Sequence, residues 1–349
     1  MSPATVSEAP SLARQANALV GDLMRPKPRI YWCDLFATTL VLYLSLFLAT
    51  TLRSPGWSLA AAAISVLALY RGISFIHELT HLRSDAVPGF HLAWNVLIGV
   101  PFLTPSLMYE GVHMLHHAKD RYGTPRDPEY RPLARLPAHQ LAIFLAVAIL
   151  APVGVILRFA VVTPLSLLIP SLRQLAAARM SAMTINPAFA REDLDRARSP
   201  AWLAQEIACW LWSWMLGALS MARLVPPRVL LTAVGVYAAM AVLNQLRTAA
   251  AHVWGNSGEP MTFREQFLDT VNVPPPALLP ALWAPVGLRY HALHHLAPRL
   301  PYHNLGAAHR RLVASLPEDS DYRRVEQPEL GPAVAKLVQR MRSREVNAA

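Results

Sequence analysis

One spacing of histidines occurs twice in this chain. His291-Ala-Leu-His294-His295 and His113-Met-Leu-His116-His117 each place imidazoles at i, i+3 and i+4, positions that share one face of a helix. A looser pair, His77-Glu-Leu-Thr-His81, sets two imidazoles one helical turn apart. These eight are most of the chain's thirteen histidines, and every cluster borders a long apolar run. Imidazole is the commonest protein metal ligand. Rings converging from three such elements imply a histidine-rich metal centre at a membrane surface.

Eight imidazoles exceed what one ion takes and suit two ions sharing them. Imidazole accommodates zinc, copper, iron and nickel, so ligand type alone leaves the metal open. Catalytic zinc usually keeps about three protein ligands, whereas two irons with about four imidazoles each and an open position match the number present. The open positions are where dioxygen would bind. A competing motif is His77-Glu78-Leu79-Thr80-His81, which fits H-E-x-x-H, the zinc metalloprotease helix with the glutamate as base. Read alone it implies an intramembrane protease, but two further histidine boxes have no part in that mechanism. A membrane metal transporter is a third class. It needs polar residues within the spans, and Asn244 and Arg71 are too few to form a path.

Other residues near the boxes have two readings. Glu110, three residues before His113, could orient a ligand imidazole, as could Asp120 and Asp127; solvated acids on a basic surface explain them equally well. Asn244 is a further candidate for such support. His252 ends the last apolar run and is either a ninth ligand or a helix-end histidine. His91 and His139 stand alone and read as interfacial histidines, and spacing does not place His303 and His309.

The elements that must carry these boxes are apolar. The 349 residues are 54% hydrophobic and 15% charged, which points to one polytopic, all-α membrane unit rather than two soluble domains. Cys33 and Cys209 read as small buried hydrophobes, with no disulfide or thiolate site. No cleavable leader pattern is present in the first thirty residues. Residues 33–52 and 57–76 are long enough to span as a hairpin around Arg53-Ser-Pro-Gly56, so box one leaves the bilayer on the side of the amino terminus. If all boxes share one centre, residues 91–108, broken by Gly99, Pro101 and Pro105, must dip and return. By the same parity, residues 139–169 form a hairpin or an interfacial element. Spans at 202–222 and 229–246 then bring the chain back before His252, with Trp202, Trp210, Trp212 and Trp214 as interface anchors. The divisions expected are a cytoplasmic segment at 1–32, a membrane-bound domain at 33–315 and a basic cytoplasmic tail at 316–349. The net charge of +10 fits Lys- and Arg-rich cytoplasmic loops or a basic docking face for an acidic electron carrier, with anionic membrane lipid as another partner. The excess is spread through loops, which excludes nucleic acid as a partner.

The order H-x-x-x-H, H-x-x-H-H, H-x-x-H-H, with apolar hairpins before the first and last boxes, resembles the integral-membrane fatty acid desaturase and hydroxylase superfamily over roughly residues 30–315. Glu110-Gly-Val-His-Met-Leu-His-His117, and Tyr290-His-Ala-Leu-His-His-Leu296 followed by Pro301-Tyr-His-Asn-Leu305, look particularly like acyl desaturases. The resemblance implies about four spanning helices in two hairpins, re-entrant or interfacial segments and a cytosolic helical cap carrying the boxes. It also implies a non-haem di-iron centre, dioxygen as co-substrate and a fatty acyl substrate. The ligands it implies are His77, His81, His113, His116, His117, His291, His294 and His295, with His252 as a ninth. No His-Pro-Gly-Gly haem segment is present, so electrons are expected from a separate ferredoxin, rubredoxin or cytochrome with its reductase. Desaturation is the reaction expected first. Oxidative decarboxylation to terminal alkenes and hydroxylation are open to the same centre, because the outcome turns on how the chain lies against the metals. The composition looks bacterial, and the expected location is an inner membrane with the site on its cytoplasmic side.

Overall fold

A computed structural model describes residues 11–348, with side chains up to residue 344. Among these residues the secondary structure is helical, with only isolated β-bridges besides. A short amphipathic helix, α1 (Leu12–Val20), precedes α2 (Pro28–Thr51) and α3 (Pro55–His81). Proline stands at the start of both long helices, where its missing N–H costs nothing. Their 24 and 27 residues give lengths of about 36 and 40 Å at 1.5 Å per residue, enough for the bilayer core. They pack as a hairpin, tied by Ser65 to Ser45 at 2.8 Å and by an Arg71–Asp34 ion pair. Phe36, Leu40, Leu44 and Phe47 line the outer face of α2 at 53–68% exposure, the surface that lipid would cover. Cys33 is exposed on the same helix, so the expectation that both cysteines are buried holds only for Cys209. The helical phase of α2 puts Cys33 on the face of Phe36 and Leu40, and apolar flanks alone do not tell lipid from core.

The re-entrant segment starts with α4 (Phe90–Trp94) and a π-turn, Asn95–Gly99, and then doubles back. The Asn95 side chain closes the loop, donating to Ser106 Oγ at 2.9 Å and accepting from the Ser106 N–H at 2.9 Å. Trp94 fastens it to α3 through a 2.8 Å bond to the Gly72 carbonyl. The chain thus arrives at α5 (His113–His116) beside the end of α3.

Residues 139–168 depart in detail from expectation. They form α6 (His139–Ile149), α7 (Ala151–Ile156), a π-helical stretch Leu157–Val162 and α8 (Thr163–Leu168), with Pro152 and Pro164 at the starts of the later pieces. Ala151–Leu168, expected within a hairpin or interfacial element, is long and apolar enough to cross a membrane, as are Pro28–Thr51, Pro55–His81 and Pro227–Ala251, whereas Pro200–Met221, where a span is expected at 202–222, is not among them. The reversal comes after Ile169, where α9 (Pro170–Arg179) packs back along α8. Arg158 before the reversal and Arg173 after it both reach one carboxyl group, Glu206 on α10 (Pro200–Met221). Of the tryptophans expected as anchors, Trp202 is buried under the Arg191 guanidinium, and Trp212 donates to the Pro101 carbonyl at 3.1 Å.

Helix α11 (Pro227–Ala251) runs beside α3, α6 and α2 and delivers His252. Three short helices follow, α12 (Phe263–Leu268), α13 (Pro280–Trp283) and α14 (His291–Leu296), the last carrying box three. Isolated bridges pin the two ends of this segment: His252 pairs with Thr270, and Asn272 pairs with Tyr290. Helix α15 (Leu305–Ser315) packs on α1, and α16 (Asp321–Arg324) buries Tyr322 in the main core. The carboxy-terminal α17 (Leu330–Ala348) buries Leu337 and Met341 against Leu133, Ala134 and Trp254. Residues 316–344 are therefore packed on the body. Residues 1–10 of the expected 1–32 segment lie outside the described residues.

Candidate metal centre

Each triplet starts just after a glycine in the left-handed region, Gly111 at φ +75° before His113 and Gly287 at φ +74° before His291. That conformation is cheap only for glycine. At Gly287 a Cβ would also collide with Leu305 Cδ1 and lie 3.3 Å from the Tyr302 backbone. Gly287→Ala is expected to destabilise the protein by at least about 1–2 kcal/mol through strain, read as a lowered unfolding temperature in detergent. An unchanged temperature would remove this account of the turn.

The rings form two groups. His77, His81, His113, His117 and His294 offer ligand nitrogens that all lie within 4.8 Å of one another, and His116, His252, His291 and His295 do the same. Each triplet is split between the two groups, although its rings share one face of their helix. The cause is helical geometry. At about 100° per residue, i and i+4 differ by about 40° while i+3 lies about 60° to the other side. Thus His113 and His117 enter one group and His116 the other, while His291 and His295 enter the second and His294 the first. Box one contributes both its rings to the first group, and His252 completes the second.

Groups behind the rings set their orientation. His116 Nδ1 donates to Asp127 at 2.9 Å, and the Asp127 carboxyl also accepts the N–H of Gly123 and of Glu129 at 2.9 and 2.8 Å. His113 Nδ1 meets Glu129 at 2.7 Å, and Tyr109 donates to the same carboxyl at 2.6 Å. His252 Nδ1 donates to the Tyr122 oxygen at 2.9 Å, whose own proton goes to Asp269 at 2.9 Å. Burial first, and then the neighbouring imidazoles, hold His113, His117, His291, His294 and His295 well below the ordinary histidine range; His252 is lowered likewise, by burial and His116. Burial pushes His116 down too, but Asp127, Glu129 and Asp269 together outweigh it, and the net direction is up. Burial raises the carboxyl groups of Glu129 and Asp269 to about 7.

The ε nitrogens point inward and lack protein acceptors or donors that suit them. His117 Nε2 lies 3.0 Å from both His113 Nε2 and His294 Nε2, and one proton cannot make two linear hydrogen bonds. His291 Nε2 is 2.9 Å from His252 Nε2 and 3.2 Å from His295 Nε2. The ε nitrogens of His77 and His81 are buried without any partner. Orphaned nitrogens and lone pairs facing one another at this range are stabilised by a cation placed among them. Neutral rings with Nδ1 fixed are what metal ligation requires, so the residues fit two metal ions.

Other candidates fall elsewhere. Glu110 pairs with Arg196 at 3.5 Å, and Asp120 is exposed. Asn244 is half-buried on α11, and among the described residues no hydrogen bond joins it to a ligand ring. His303 accepts from the Lys27 N–H at 3.1 Å and His309 bonds Tyr322 at 3.0 Å, both outside the two groups. The Glu78 carboxyl accepts from Tyr31 and from the Tyr302 N–H, so the H-E-x-x-H glutamate is spent on packing. Sequence reasoning missed Glu129, Tyr109, Tyr122 and Asp269, which come from loops without periodicity. It also missed Asn272, whose side chain accepts the Leu293 N–H at 3.1 Å and seats box three.

Asp127→Asn tests the support directly. Loss of the carboxyl behind His116 is expected to weaken metal binding at the second group by about 10–100-fold and to leave the first group loaded, as measured by competition with a chelator. Equal weakening at both groups would show that Asp127 acts on the fold at large.

Comparison with known proteins agrees with this geometry. A family profile described as fatty acid desaturase matches residues 55–326, which contain all nine clustered histidines. A ceramide hydroxylase from Caulobacter vibrioides is 56% identical over 338 residues, covering 97% of this chain and 96% of the relative. With four helices apolar enough to span and nine histidines gathered in two groups, the chain is a membrane oxidoreductase that belongs to the membrane fatty acid desaturase and hydroxylase family.

Proposed function

We propose that this enzyme hydroxylates a ceramide, using two irons held by the nine clustered histidines, dioxygen, and electrons from a separate carrier protein. The observation that favours hydroxylation over desaturation is the 56% identity, across 97% of the chain, to a ceramide hydroxylase. The metal pair would supply the power to activate dioxygen and attack an unactivated C–H bond. One oxygen atom enters the lipid as a hydroxyl group; the other leaves as water with two electrons and two protons. The first group, with His77, His81, His113, His117 and His294, would hold one iron, and the second, with His116, His252, His291 and His295, the other.

The chain's own residues do the rest. Asp127, Glu129 and the Tyr122–Asp269 pair keep protons on the δ nitrogens of His116, His113 and His252, which leaves the ε nitrogens free to bind. The apolar helices α2, α3 and α11 hold the hydrocarbon and exclude water, which protects the oxidant. The histidine face is proposed to be cytoplasmic in a bacterial inner membrane, where ferredoxin, rubredoxin or a cytochrome can reach it. Expressed in a host fed labelled ceramide under ¹⁸O₂, the protein is expected to yield an alcohol carrying one labelled oxygen. An alkene without label would replace hydroxylation by desaturation, and a volatile 1-alkene from free fatty acid would point to decarboxylation.

A further inference from the structure

Beyond the first-turn Arg29 and Arg228, three arginines lie within helices apolar enough to span, and two of these are neutralised. Arg71 is paired with Asp34, and Arg158 with Glu206. The third, Arg247 on α11, has no carboxyl group within ion-pair distance among the described residues. Its one hydrogen bond runs to His291 Nδ1, at a long 3.3 Å. Its charge reaches both halves of the site, acting on His252 and His291 and also on Tyr109 and Glu129. An ionisable group in a span marks a functional position when no structural partner explains it.

The bond to His291 does not survive the proposed metal state. A neutral ring that gives Nε2 to a metal carries its proton on Nδ1, and that nitrogen is then a donor facing another donor. Arg247 is left half-buried with all its N–H groups seeking an acceptor. A second unspent donor stands nearby. The Tyr70 hydroxyl on α3 is 1% exposed and has no hydrogen-bond partner. Tyr70 precedes His77 by seven residues on the same helix, which puts it two turns below box one on the same face. Helices α3 and α11 pack together, so Tyr70 and Arg247 stand on neighbouring elements. Two donors without acceptors thus lie on the membrane side of the histidines.

We propose that Arg247 and Tyr70 form the polar seat for an oxygen of the lipid substrate, its amide carbonyl or an adjacent hydroxyl, and so fix which carbon reaches the metals. This rests on the function proposed above. Both are positioning residues: they hold the polar end, and the hydroxyl is placed on a carbon near that end rather than at the far end of the chain.

The test uses the full chain in nanodiscs, loaded with zinc so that no turnover occurs, and titrated with N-octanoyl sphinganine. A hydrocarbon of similar length, without oxygen, measures the apolar contribution. Arg247→Gln and Tyr70→Phe are each expected to raise the Kd for the amide lipid about ten-fold, the effect of losing one bond to a buried or charged donor. Hydrocarbon binding and the content of two metal ions should stay as in the wild type. In the iron-loaded enzyme the same variants should spread the hydroxyl over several carbons. Amide-lipid affinity unchanged in both variants would overturn the polar seat while leaving the proposed reaction standing. A wild type that binds palmitic acid or a glycerolipid in preference would overturn the ceramide reading alone, and the two variants then test the seat against that lipid. Loss of metal in either variant would show that the residue supports the ligands, and would overturn its assignment to the lipid.

Discussion

Replacing His291 or His295 with alanine is expected to abolish turnover and to empty one metal position while the other stays filled. Both rings belong to the group of four, so one substitution leaves three imidazoles for an ion that favours more. The first group has five, and His81→Ala leaves four. A graded outcome follows: His81→Ala should retain more metal than His295→Ala, although both lose activity. The loss should exceed the about 10–100-fold typical of changes to groups behind the ligands. Metal content and product formation, measured on the same preparations, read the two effects apart. Removal of both ions by His295→Ala would show that the positions are one coupled site. Full activity in either variant would contradict the partition.

Glu206→Leu is expected to be the most damaging change away from the histidines. Glu206 is fully buried and is the shared partner of Arg158, whose side chain is 3% exposed, and of Arg173. Breaking a buried ion pair from one side costs about 3–5 kcal/mol, because the remaining charge is left without compensation. Arg158 keeps bonds to Thr163 and Ser181 at 2.6 and 2.9 Å, but these are neutral acceptors. Removing the Arg158 and Glu206 charges together is milder, since well-packed apolar replacements for a buried pair are often close to neutral and the remaining Arg173 is partly exposed and keeps its bond to the Ala197 carbonyl. Glu206→Leu should therefore unfold at lower temperature or fail to accumulate, and Arg158→Met with Glu206→Leu should recover much of the loss. Equal stability of Glu206→Leu and wild type, by thermal unfolding in one detergent, would show that the reversal after Ile169 does not depend on this carboxyl group.

The clustering of the histidines was legible because a shared site imposes both a residue type and a helical spacing, and a hydropathy run marked the helix that carries His77 and His81. Chain parity was legible only in part: residues 90–108 fold back as expected, but Ala151–Leu168, expected within a hairpin or interfacial element, is long and apolar enough to cross, and Pro200–Met221, expected to span, is not among the helices that are. The division of each triplet was not seen. Spacing shows which rings share a face, but the 100° between His294 and His295 matters only once the facing helices are in place. Groups behind the rings were the least accessible. Asp127 and Glu129 sit in a loop whose path is set by tertiary contacts, and Glu110, on the favourable helical offset, turns instead to Arg196. Cys33 shows the same limit from another side, because a residue among apolar neighbours faces lipid as readily as core.

Elemental analysis of the wild-type chain, purified after growth with iron and zinc both available, tests the whole account most directly. Two groups of inward-facing ε nitrogens predict about two irons per chain, a number set by the ligand supply. One zinc per chain, retained when His291, His294 and His295 are all replaced by alanine, would contradict it.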